Sequence, residues 1–274
     1  MKLTVSFTVV CVLSLLAGCV TAAVQDAVSM SMPEISSSSA PFGGYGNLLE
    51  KALENEELTA LGASVAATPD GKTIVVGAPF LKAGKSPKGA VYVYREDKNG
   101  EFVLTNMYLH PDSLYFGASI AISDNGSVFA VGAPGDSTTP GYLIIFESPA
   151  GKGDAGNISH EMVAVISHRE PGDYYGKSIS ISGDGSLILA GAPGTGKMTG
   201  KTELLIRSGD SWGNNSDIIA QTLGSASVKP GDEWGYSVAL SGDGSTVLIG
   251  APGKNYTSGA VYLFRKPDAG WTEI

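Results

Sequence analysis

The sequence predicts an all-β fold made of one antiparallel unit repeated along the chain, and three observations lead to this prediction. Turn-forming residues are frequent, with 37 glycines and 14 prolines among 274 residues. Aromatic and β-branched residues lie between them, which favours short strands over long helices. Four segments also align without gaps, and each has an Asn-Gly or Asp-Gly pair between two apolar runs. Such pairs accept the positive φ values of a tight turn, so each segment is expected to form a β-hairpin.

The N-terminus has the features of a secretory signal peptide. Residues 1–23 have Lys2 as a short positive region, then an apolar core, then small residues at the end. The apolar run is too short for a comfortable membrane span. Residues 16–19, "LAGC", also resemble the lipobox of bacterial lipoproteins, whose cysteine is lipidated after cleavage. The sequence therefore predicts a secreted, extracellular protein, with a lipid anchor at the cell surface through Cys19 as the alternative.

Two further segments precede the repeats. Residues 24–46 are rich in Ser, Gly and Pro without a period, which is typical of a flexible tether. Residues 47–60, with "NLLEKALENEEL", have the pattern of a short amphipathic helix or lead-in. The repeated part is expected to cover residues 61–274.

The four aligned segments are "LGASVAATPDGKTIVVGAP" from Leu61, "FGASIAISDNGSVFAVGAP" from Phe116, "YGKSISISGDGSLILAGAP" from Tyr175 and "WGYSVALSGDGSTVLIGAP" from Trp234. In each, a leading glycine comes 15 positions before the glycine of Gly-Ala-Pro. The leading glycines are Gly62, Gly117, Gly176 and Gly235. The Gly-Ala-Pro units are Gly77 to Pro79, Gly132 to Pro134, Gly191 to Pro193 and Gly250 to Pro252. Their intervals of 55, 59 and 59 residues indicate one structural unit copied along the chain.

Each unit has the strands of a propeller blade. After the hairpin, a third strand is predicted in "GAVYVYRE", "GYLIIFES", "TELLIRS" and "GAVYLFRK". A fourth follows in "EFVLTNMYL", "EMVAVIS" and "DIIAQTL". Four antiparallel strands per unit without intervening helices predict a β-propeller with blades at about 61–115, 116–174, 175–233 and 234–274. Phe116, Tyr175 and Trp234 are expected to fill the core between blades.

These signatures resemble the FG-GAP repeats of integrin α-chain propellers, and more closely their compact variants in secreted and surface proteins. The resemblance implies cell adhesion or protein binding. Calcium-binding members of the family carry an acidic loop between the first two strands. Here that loop is reduced to "TPDGK", "SDNGS" or "SGDGS", with at most one acidic side chain each. Because calcium needs six to eight oxygen ligands, we expect no metal site there, and no cofactor.

The segment "LILAGAPGTGKMTGK" contains Gly191, Gly196 and Lys197 at the spacing of a phosphate-binding P-loop. A P-loop also needs Ser or Thr after the lysine and a helix whose N-terminus faces the phosphates. Met198 occupies the hydroxyl position and a strand is predicted to follow. The glycines are therefore assigned to the third blade and its loop.

The family's propellers usually close with seven blades, whereas the fourth unit of this chain stops at "GWTEI", where its last strand is expected to begin. Because open sheet edges are a liability that propellers remove by closure, three explanations stay open. The product is truncated and blades are missing, or a partner chain completes the ring, or residues before Leu61 supply the missing strand.

The formal net charge of −9 repels phosphate backbones, so nucleic acid is an unlikely partner. Contact with a membrane is expected only through the lipid anchor. Longer, variable loops occupy the face opposite the tight hairpins, where a rigid scaffold usually carries binding residues. The candidate ligand-binding residues on this loop face are Asp112, Tyr115, Arg169, Tyr174, Glu233 and Tyr256.

No catalytic residues are predicted, and the chain is not expected to be an enzyme. None of its serines has a Gly-x-Ser-x-Gly context, and its three histidines have no repeated acidic partner. A metal shared by His110 and His168 is a minor hypothesis. The leading hypothesis is a secreted or surface-attached interaction module for a protein or glycan. The alternative is an ancillary propeller fragment of a larger extracellular hydrolase, and a purely structural surface protein is a third possibility.

Overall fold

The structure is a computed structural model that describes residues 60–83, 86–110, 112–148 and 160–266. The chain divides into the compact units Met1–Gly46 and Asn47–Ile274, and all described residues belong to the second. The predictions of a signal peptide, lipobox, tether and lead-in helix lie outside the described residues, apart from residue 60. The "GWTEI" segment also lies outside them.

The described residues form three four-stranded sheets, one three-stranded sheet and one two-stranded hairpin, with all pairs of strands antiparallel. Blade 1 contains β1 (Ser64–Ala67), β2 (Thr73–Ala78), β5 (Ala90–Glu96) and β6 (Phe102–Tyr108). The hairpin between β2 and β5 is β3 (Lys82–Ala83) and β4 (Ser86–Pro87). Blade 2 contains β7 (Ser119–Ile122), β8 (Val128–Ala133), β9 (Pro140–Glu147) and β10 (Glu161–Pro171).

Blade 3 contains β11 (Ser178–Ile181), β12 (Leu187–Ala192), β13 (Lys201–Arg207) and β14 (Ile218–Leu223). Blade 4 contains β15 (Ser237–Leu240), β16 (Thr246–Ala251) and β17 (Ala260–Arg265). The short helical turns α1 (Thr195–Met198) and α2 (Lys254–Thr257) follow β12 and β16, and a 3-10 turn covers Asn215–Asp217. The strand order predicted for each unit is therefore the observed one.

The blades stack in sequence order along their first strands. Strand β7 lies beside both β1 and β11, and β11 lies beside both β7 and β15. Three apolar cores fill the spaces between successive blades, and each contains one of the fully buried aromatic residues Phe116, Tyr175 and Trp234. This arrangement confirms the all-β propeller class and the interblade position expected for the three aromatic residues.

The Asp-Gly and Asn-Gly hairpins keep one geometry in all four blades. In blade 4, Asp243 accepts hydrogen bonds from the Ser241 hydroxyl at 2.5 Å and from the Ser245 backbone N–H at 3.0 Å. These bonds lower the pKa of Asp243 to about 2, and equivalent bonds from Thr68 and Lys72 lower the pKa of Asp70. Asn125 accepts the same pair of bonds in blade 2. The residue at this position therefore closes the turn, and an amide does it as well as a carboxylate.

We expect these two carboxylates to make the fold sensitive to strong acid. Because their folded-state pKa values lie below the ordinary value near 4, their contribution is complete above pH 4 and is lost as the pH falls toward 2. The double variant Asp70→Asn/Asp243→Asn should melt close to the wild-type temperature at pH 7, since Asn125 already shows that the amide fits. Melting curves between pH 5 and pH 2 should then show a smaller decrease for the variant. An equal decrease in both proteins would contradict this assignment.

Candidate functional site

The loop face of the propeller carries a cavity of about 460 Å³, on the side opposite the Asp-Gly hairpins. The loops between the second and third strands and the connections between blades reach this face. All four blades contribute to its walls, mostly through side chains at three repeated positions. They are the proline of Gly-Ala-Pro, the residue two positions before the leading glycine and the residue just after it: Pro79, Pro134, Pro193, Tyr115, Tyr174, Ala118, Lys177 and Tyr236. The cavity therefore lies where the successive blades converge.

Backbone turns of unusual geometry orient the tyrosines. The residue two positions before the leading glycine has a positive φ in every repeat, namely Ala60 (51°), Tyr115 (64°), Tyr174 (56°) and Glu233 (58°). Its carbonyl accepts a hydrogen bond from the N–H three residues later, as from Ala118 to Tyr115 at 3.0 Å and from Lys177 to Tyr174 at 3.0 Å. A left-handed backbone is unfavourable for bulky residues, and such conformations persist where the surrounding fold imposes them. The tyrosine positions are thus set by the blade framework.

The walls of the cavity are aromatic and apolar, with one cation. Phe80 packs edge-on against Tyr115, with ring centroids 5.5 Å apart and an interplanar angle of 83°. The Lys177 Nζ lies 6.0 Å from the ring centroid of Tyr236, a geometry that suits a cation–π contact. Phe80 and Tyr236 are each 48% exposed, so their rings remain open to a ligand. Such a cavity can take up apolar or aromatic groups next to a negative charge.

The loops after β12 and β16 turn through left-handed backbone. Gly196, Lys197 and Met198 in one loop, and Asn255, Tyr256 and Thr257 in the other, have φ values between 52° and 71°. Each loop approaches a connection between blades so closely that only a glycine fits: a Cβ on Gly194 would lie 1.9 Å from the carbonyl oxygen of Gly172. The Met198 carbonyl accepts the N–H of Glu233 at 2.8 Å, and the Met198 side chain lines the cavity. The left-handed turn at Met198 therefore belongs to the wall of the site, whereas the turn at Tyr256 lies outside the cavity lining.

The structure places the six candidate residues differently. Tyr115 and Tyr174 lie together in the cavity wall. Glu233 occupies the equivalent turn of blade 4, although its side chain does not line the cavity. Tyr256 is fully exposed at the tip of α2, and Asp112 is exposed in the connection after blade 1. Arg169 lies in β10, and its side chain is outside the described residues.

The sequence interpretation missed Phe80, Lys177, Met198 and Tyr236. A signal for two of them was present, because the residue after the leading glycine varies strongly inside an otherwise constant frame: Ala63, Ala118, Lys177 and Tyr236. Variation at one position of a repeat indicates a position that the scaffold does not use. Phe80 and Met198 had no such signal, since the loops after Gly-Ala-Pro do not align.

His110 is buried next to two aromatic rings. It is 7% exposed, and its ring lies 6.3 Å from the Phe116 ring and 5.8 Å from the Tyr142 ring. Burial lowers the pKa of His110. The His168 side chain is outside the described residues, so the shared-metal hypothesis is not tested. Over the part of the chain that the structure describes, no group of three or more His, Cys, Asp or Glu side chains is arranged to hold a metal ion.

The P-loop-like segment has the course expected from the repeat. Gly191 lies in β12 inside blade 3, three of the four residues of α1 have a positive φ, and β13 begins at Lys201. A phosphate-binding helix therefore does not follow Lys197. Among the described residues, no helix is long and apolar enough to cross a membrane.

Fold and cavity together define the class of protein: a repeat-built β-propeller with an aromatic cavity on its loop face. The family model described as an FG-GAP repeat matches residues 220–264, which contain the fourth copy of the unit. The other three copies share its sequence pattern and its strand register, with Ser64 opposite Gly77, Ser119 opposite Gly132 and Ser178 opposite Gly191. The chain is therefore a repeat-built β-propeller that carries an FG-GAP repeat at residues 220–264.

Solved structures with a similar fold include three proteins of low sequence identity. Hydrazine synthase of Kuenenia stuttgartiensis is 18% identical over 74% of this chain and 58% of its own, with a TM-score of 0.44. The β-propeller domain of Myceliophteria thermophila Cps50 (Swd1) is 12% identical over 74% of this chain and 53% of its own, with a TM-score of 0.46. The periplasmic gluconolactonase of Pseudomonas aeruginosa is 17% identical over 77% of this chain and 59% of its own, with a TM-score of 0.45. This chain thus spans less than two thirds of each, and no curated protein matches it.

Proposed function

We propose that this propeller is an extracellular interaction module that binds an extended protein segment in its loop-face cavity. The observation that carries the proposal is the convergence of Phe80, Tyr115, Tyr174 and Tyr236 from successive blades on one cavity. Its volume of about 460 Å³ falls in the range of sites that take up a few side chains or a small ligand. The extracellular location rests on the signal peptide predicted in residues 1–23.

The polar groups of the cavity favour a peptide over a sugar. A glycan presents many hydroxyl groups and is usually held by carboxylate and amide side chains as well as by aromatic rings. The described side chains that line this cavity include neither; their polar groups are tyrosine hydroxyls and the Lys177 ammonium. Aromatic-lined grooves, in contrast, take up extended proline-rich segments, whose low conformational entropy favours binding. A carboxylate on the peptide would pair with Lys177.

The framework also supports a binding role on energetic grounds. The tyrosines are oriented by turns that the blades impose, so little conformational freedom is lost when a ligand contacts them. Aromatic side chains in such positions usually carry a large share of the binding free energy. Catalysis is not part of the proposal; the described residues that line the cavity include no nucleophile paired with a base.

The proposal is tested by selecting a displayed peptide library on the wild-type protein and measuring the affinities of the enriched peptides by calorimetry. We expect peptides with proline or aromatic residues next to an acidic residue. The double variant Tyr115→Ala/Tyr174→Ala should bind them at least about tenfold more weakly, because each ring contributes on the order of 1 kcal/mol or more. Lys177→Ala should weaken binding and reduce its dependence on salt.

Tyr256→Ala is the matched control, since Tyr256 is a loop-face tyrosine that lies outside the cavity. It should bind the selected peptides with wild-type affinity. Equal binding by the double variant and the wild type would contradict the proposed site. Specific binding to a glycan array, without any enriched peptide, would contradict the proposed class of ligand.

A further inference from the structure

The joint between successive blades is the same each time it occurs. The serine two positions after a leading glycine donates its hydroxyl proton to the carbonyl of the next blade's leading glycine. The distances are 2.6 Å from Ser64 to Gly117, 2.6 Å from Ser119 to Gly176 and 2.8 Å from Ser178 to Gly235. Each of these serines lies opposite the Gly-Ala-Pro glycine of its own blade. Every blade thus presents a serine and a glycine to the next one.

Glycine is required at the joint because the backbones touch. A Cβ on Gly77, Gly132 or Gly191 would lie 2.0 Å from the carbonyl oxygen of the next blade's leading glycine. A second glycine, before the third strand, lies against the aromatic residue of the next blade: a Cβ on Gly200 would lie 2.1 Å from the carbonyl oxygen of Trp234. The backbone N–H of Trp234 in turn donates a hydrogen bond to the Thr199 carbonyl at 3.0 Å. The joint is therefore a socket that receives an aromatic residue followed by glycine.

The fourth socket has the same residues, and the described part of the chain does not fill it. Its serine is Ser237, its two glycines are Gly250 and Gly259, and together they line a cavity of about 410 Å³. The atoms nearest to a Cβ on Gly250 would be those of Ser237, and the atoms nearest to a Cβ on Gly259 would be those of Ala251 and Pro252, all within blade 4. Among the described residues, no atom accepts a hydrogen bond from the Ser237 hydroxyl. Only the contacts that a following blade would make are missing.

The sheet face of blade 4 beside this socket is apolar and exposed. Leu248, Val261 and Leu263 of blade 4 are 38%, 72% and 57% exposed. The equivalent residues of blade 3, Leu189, Thr202 and Leu204, are fully buried beneath blade 4, and those of blade 2, Ala130, Leu143 and Ile145, beneath blade 3. In blades 2 and 3, the next blade covers the equivalent apolar surface. The exposed apolar surface of blade 4 is therefore suited to contact with another blade.

We propose that the open socket of blade 4 binds the leading aromatic–glycine pair and first strand of a further FG-GAP-type blade. The aromatic residue inserts beside Gly259, and its backbone N–H donates a hydrogen bond to the Ser258 carbonyl. The carbonyl of the following glycine accepts a hydrogen bond from the Ser237 hydroxyl. The serine contact is present at all three occupied joints, and the backbone N–H contact is made by Phe116 to Lys88 and by Trp234 to Thr199. Glycine is recognised because its carbonyl lies directly on Gly250, and because φ at this position is 92°, 82° and 83° in Gly117, Gly176 and Gly235.

A second copy of this chain fits the socket less well. Its first repeat begins with Leu61 instead of an aromatic residue, and this is the only repeat in which that position is aliphatic. The face of blade 1 that would have to cover blade 4 is also already buried, with Tyr92 and Tyr94 each 3% exposed. The observations therefore favour a partner whose blade starts with Phe, Tyr or Trp followed by glycine.

The test uses a fluorescently labelled peptide with the sequence of residues 115–122, "YFGASIAI", which forms the joint between blades 1 and 2. Anisotropy measurements with the full-length protein should show saturable binding. A peptide in which the glycine is replaced by alanine should bind at least about tenfold more weakly. Gly250→Ala should weaken binding of the native peptide to a similar extent, because the new methyl group occupies the position of the glycine carbonyl.

Gly250→Ala should leave the stability of the protein unchanged, since the Ser237 side chain can rotate away from the added methyl group. Its melting temperature should match the wild type, and Tyr256→Ala serves as a control that should bind the peptide normally. Absence of saturable binding, or equal binding by Gly250→Ala, would overturn the proposal. A wild-type dimer in light scattering that Gly250→Ala converts to a monomer would show that the occupant is a second copy, and would overturn the assignment to a blade that starts with an aromatic residue.

Discussion

Replacing Gly191 with alanine should destabilise the protein by about 3 kcal/mol or more and lower its melting temperature by roughly 6–12 °C. The new Cβ would lie 2.0 Å from the carbonyl oxygen and 2.9 Å from the carbonyl carbon of Gly235 in the next blade. Both are backbone atoms, so relief requires that blades 3 and 4 separate. That separation would open the core around Leu189, Leu204 and Trp234. Thermal melts followed by circular dichroism measure the effect.

Gly250→Ala is the matched control, because it places the same methyl group at the same position of a blade that has no described neighbour on that side. The atoms nearest to its Cβ would be those of Ser237 in the same blade, and its melting temperature should stay within about 2 °C of the wild type. If the two variants melted alike, the blades would not pack through these glycines. The pair therefore separates an effect of blade stacking from the general cost of alanine in this strand.

Lowering the pH from 6.5 to 4 should destabilise the protein by about 3 kcal/mol through His160 alone. Burial, together with the positive charge of Arg95, lowers the pKa of His160 to about 4 from its ordinary value of 6.5, while a hydrogen bond to the Gly126 carbonyl acts in the opposite direction. The ring Nε2 lies 2.8 Å from that carbonyl and Nδ1 lies 3.3 Å from an Arg95 nitrogen. A neutral ring with its proton on Nε2 satisfies both contacts, whereas a second proton on Nδ1 would face the guanidinium.

The loss of stability at low pH follows from the different protonation of the unfolded and the folded chain. Unfolded, His160 takes up a proton below pH 6.5, but the folded protein resists this until about pH 4. The unfolded state therefore gains protons first, and stability is lost across that window. Urea unfolding at intervals between pH 7 and pH 4 should show this loss in the wild type, and His160→Gln should remove most of it. An unchanged pH dependence in the variant would assign the loss to other groups; the carboxylates of the hairpins act below pH 4.

The repeat made most of the fold predictable from sequence. A leading glycine, an Asx-Gly turn and Gly-Ala-Pro at fixed spacing define the two inner strands of every blade, and the burial of Phe116, Tyr175 and Trp234 follows from their place in the unit. The left-handed turns at Lys197, Met198 and Tyr256 could not be predicted, because none of these residue types favours that conformation. They exist because Gly194 and Gly253 lie against the connections between blades.

The site was predictable only in part, for a related reason. Tyr115 and Tyr174 could be found because they stand at the same place in successive repeats of the loop face. Phe80 and Met198 come from loops of unequal length, whose side-chain directions depend on how the blades are rotated against one another. Sequence spacing determines the order of the blades but not this rotation. The open socket at Ser237 and Gly250 depends on the same information, since the sequence of the fourth repeat matches those of the buried ones.

We propose that the loop-face cavity is the ligand-binding surface of this propeller. The most direct test is a nuclear magnetic resonance titration of the isotopically labelled protein with the tightest peptide obtained by selection. We expect saturable shifts concentrated at the backbone and side chains of Tyr115, Ala118, Tyr174, Lys177 and Tyr236, which surround one cavity although 121 positions separate the first from the last. Shifts centred instead on the Asp-Gly hairpins, or spread evenly over the blades, would contradict the claim.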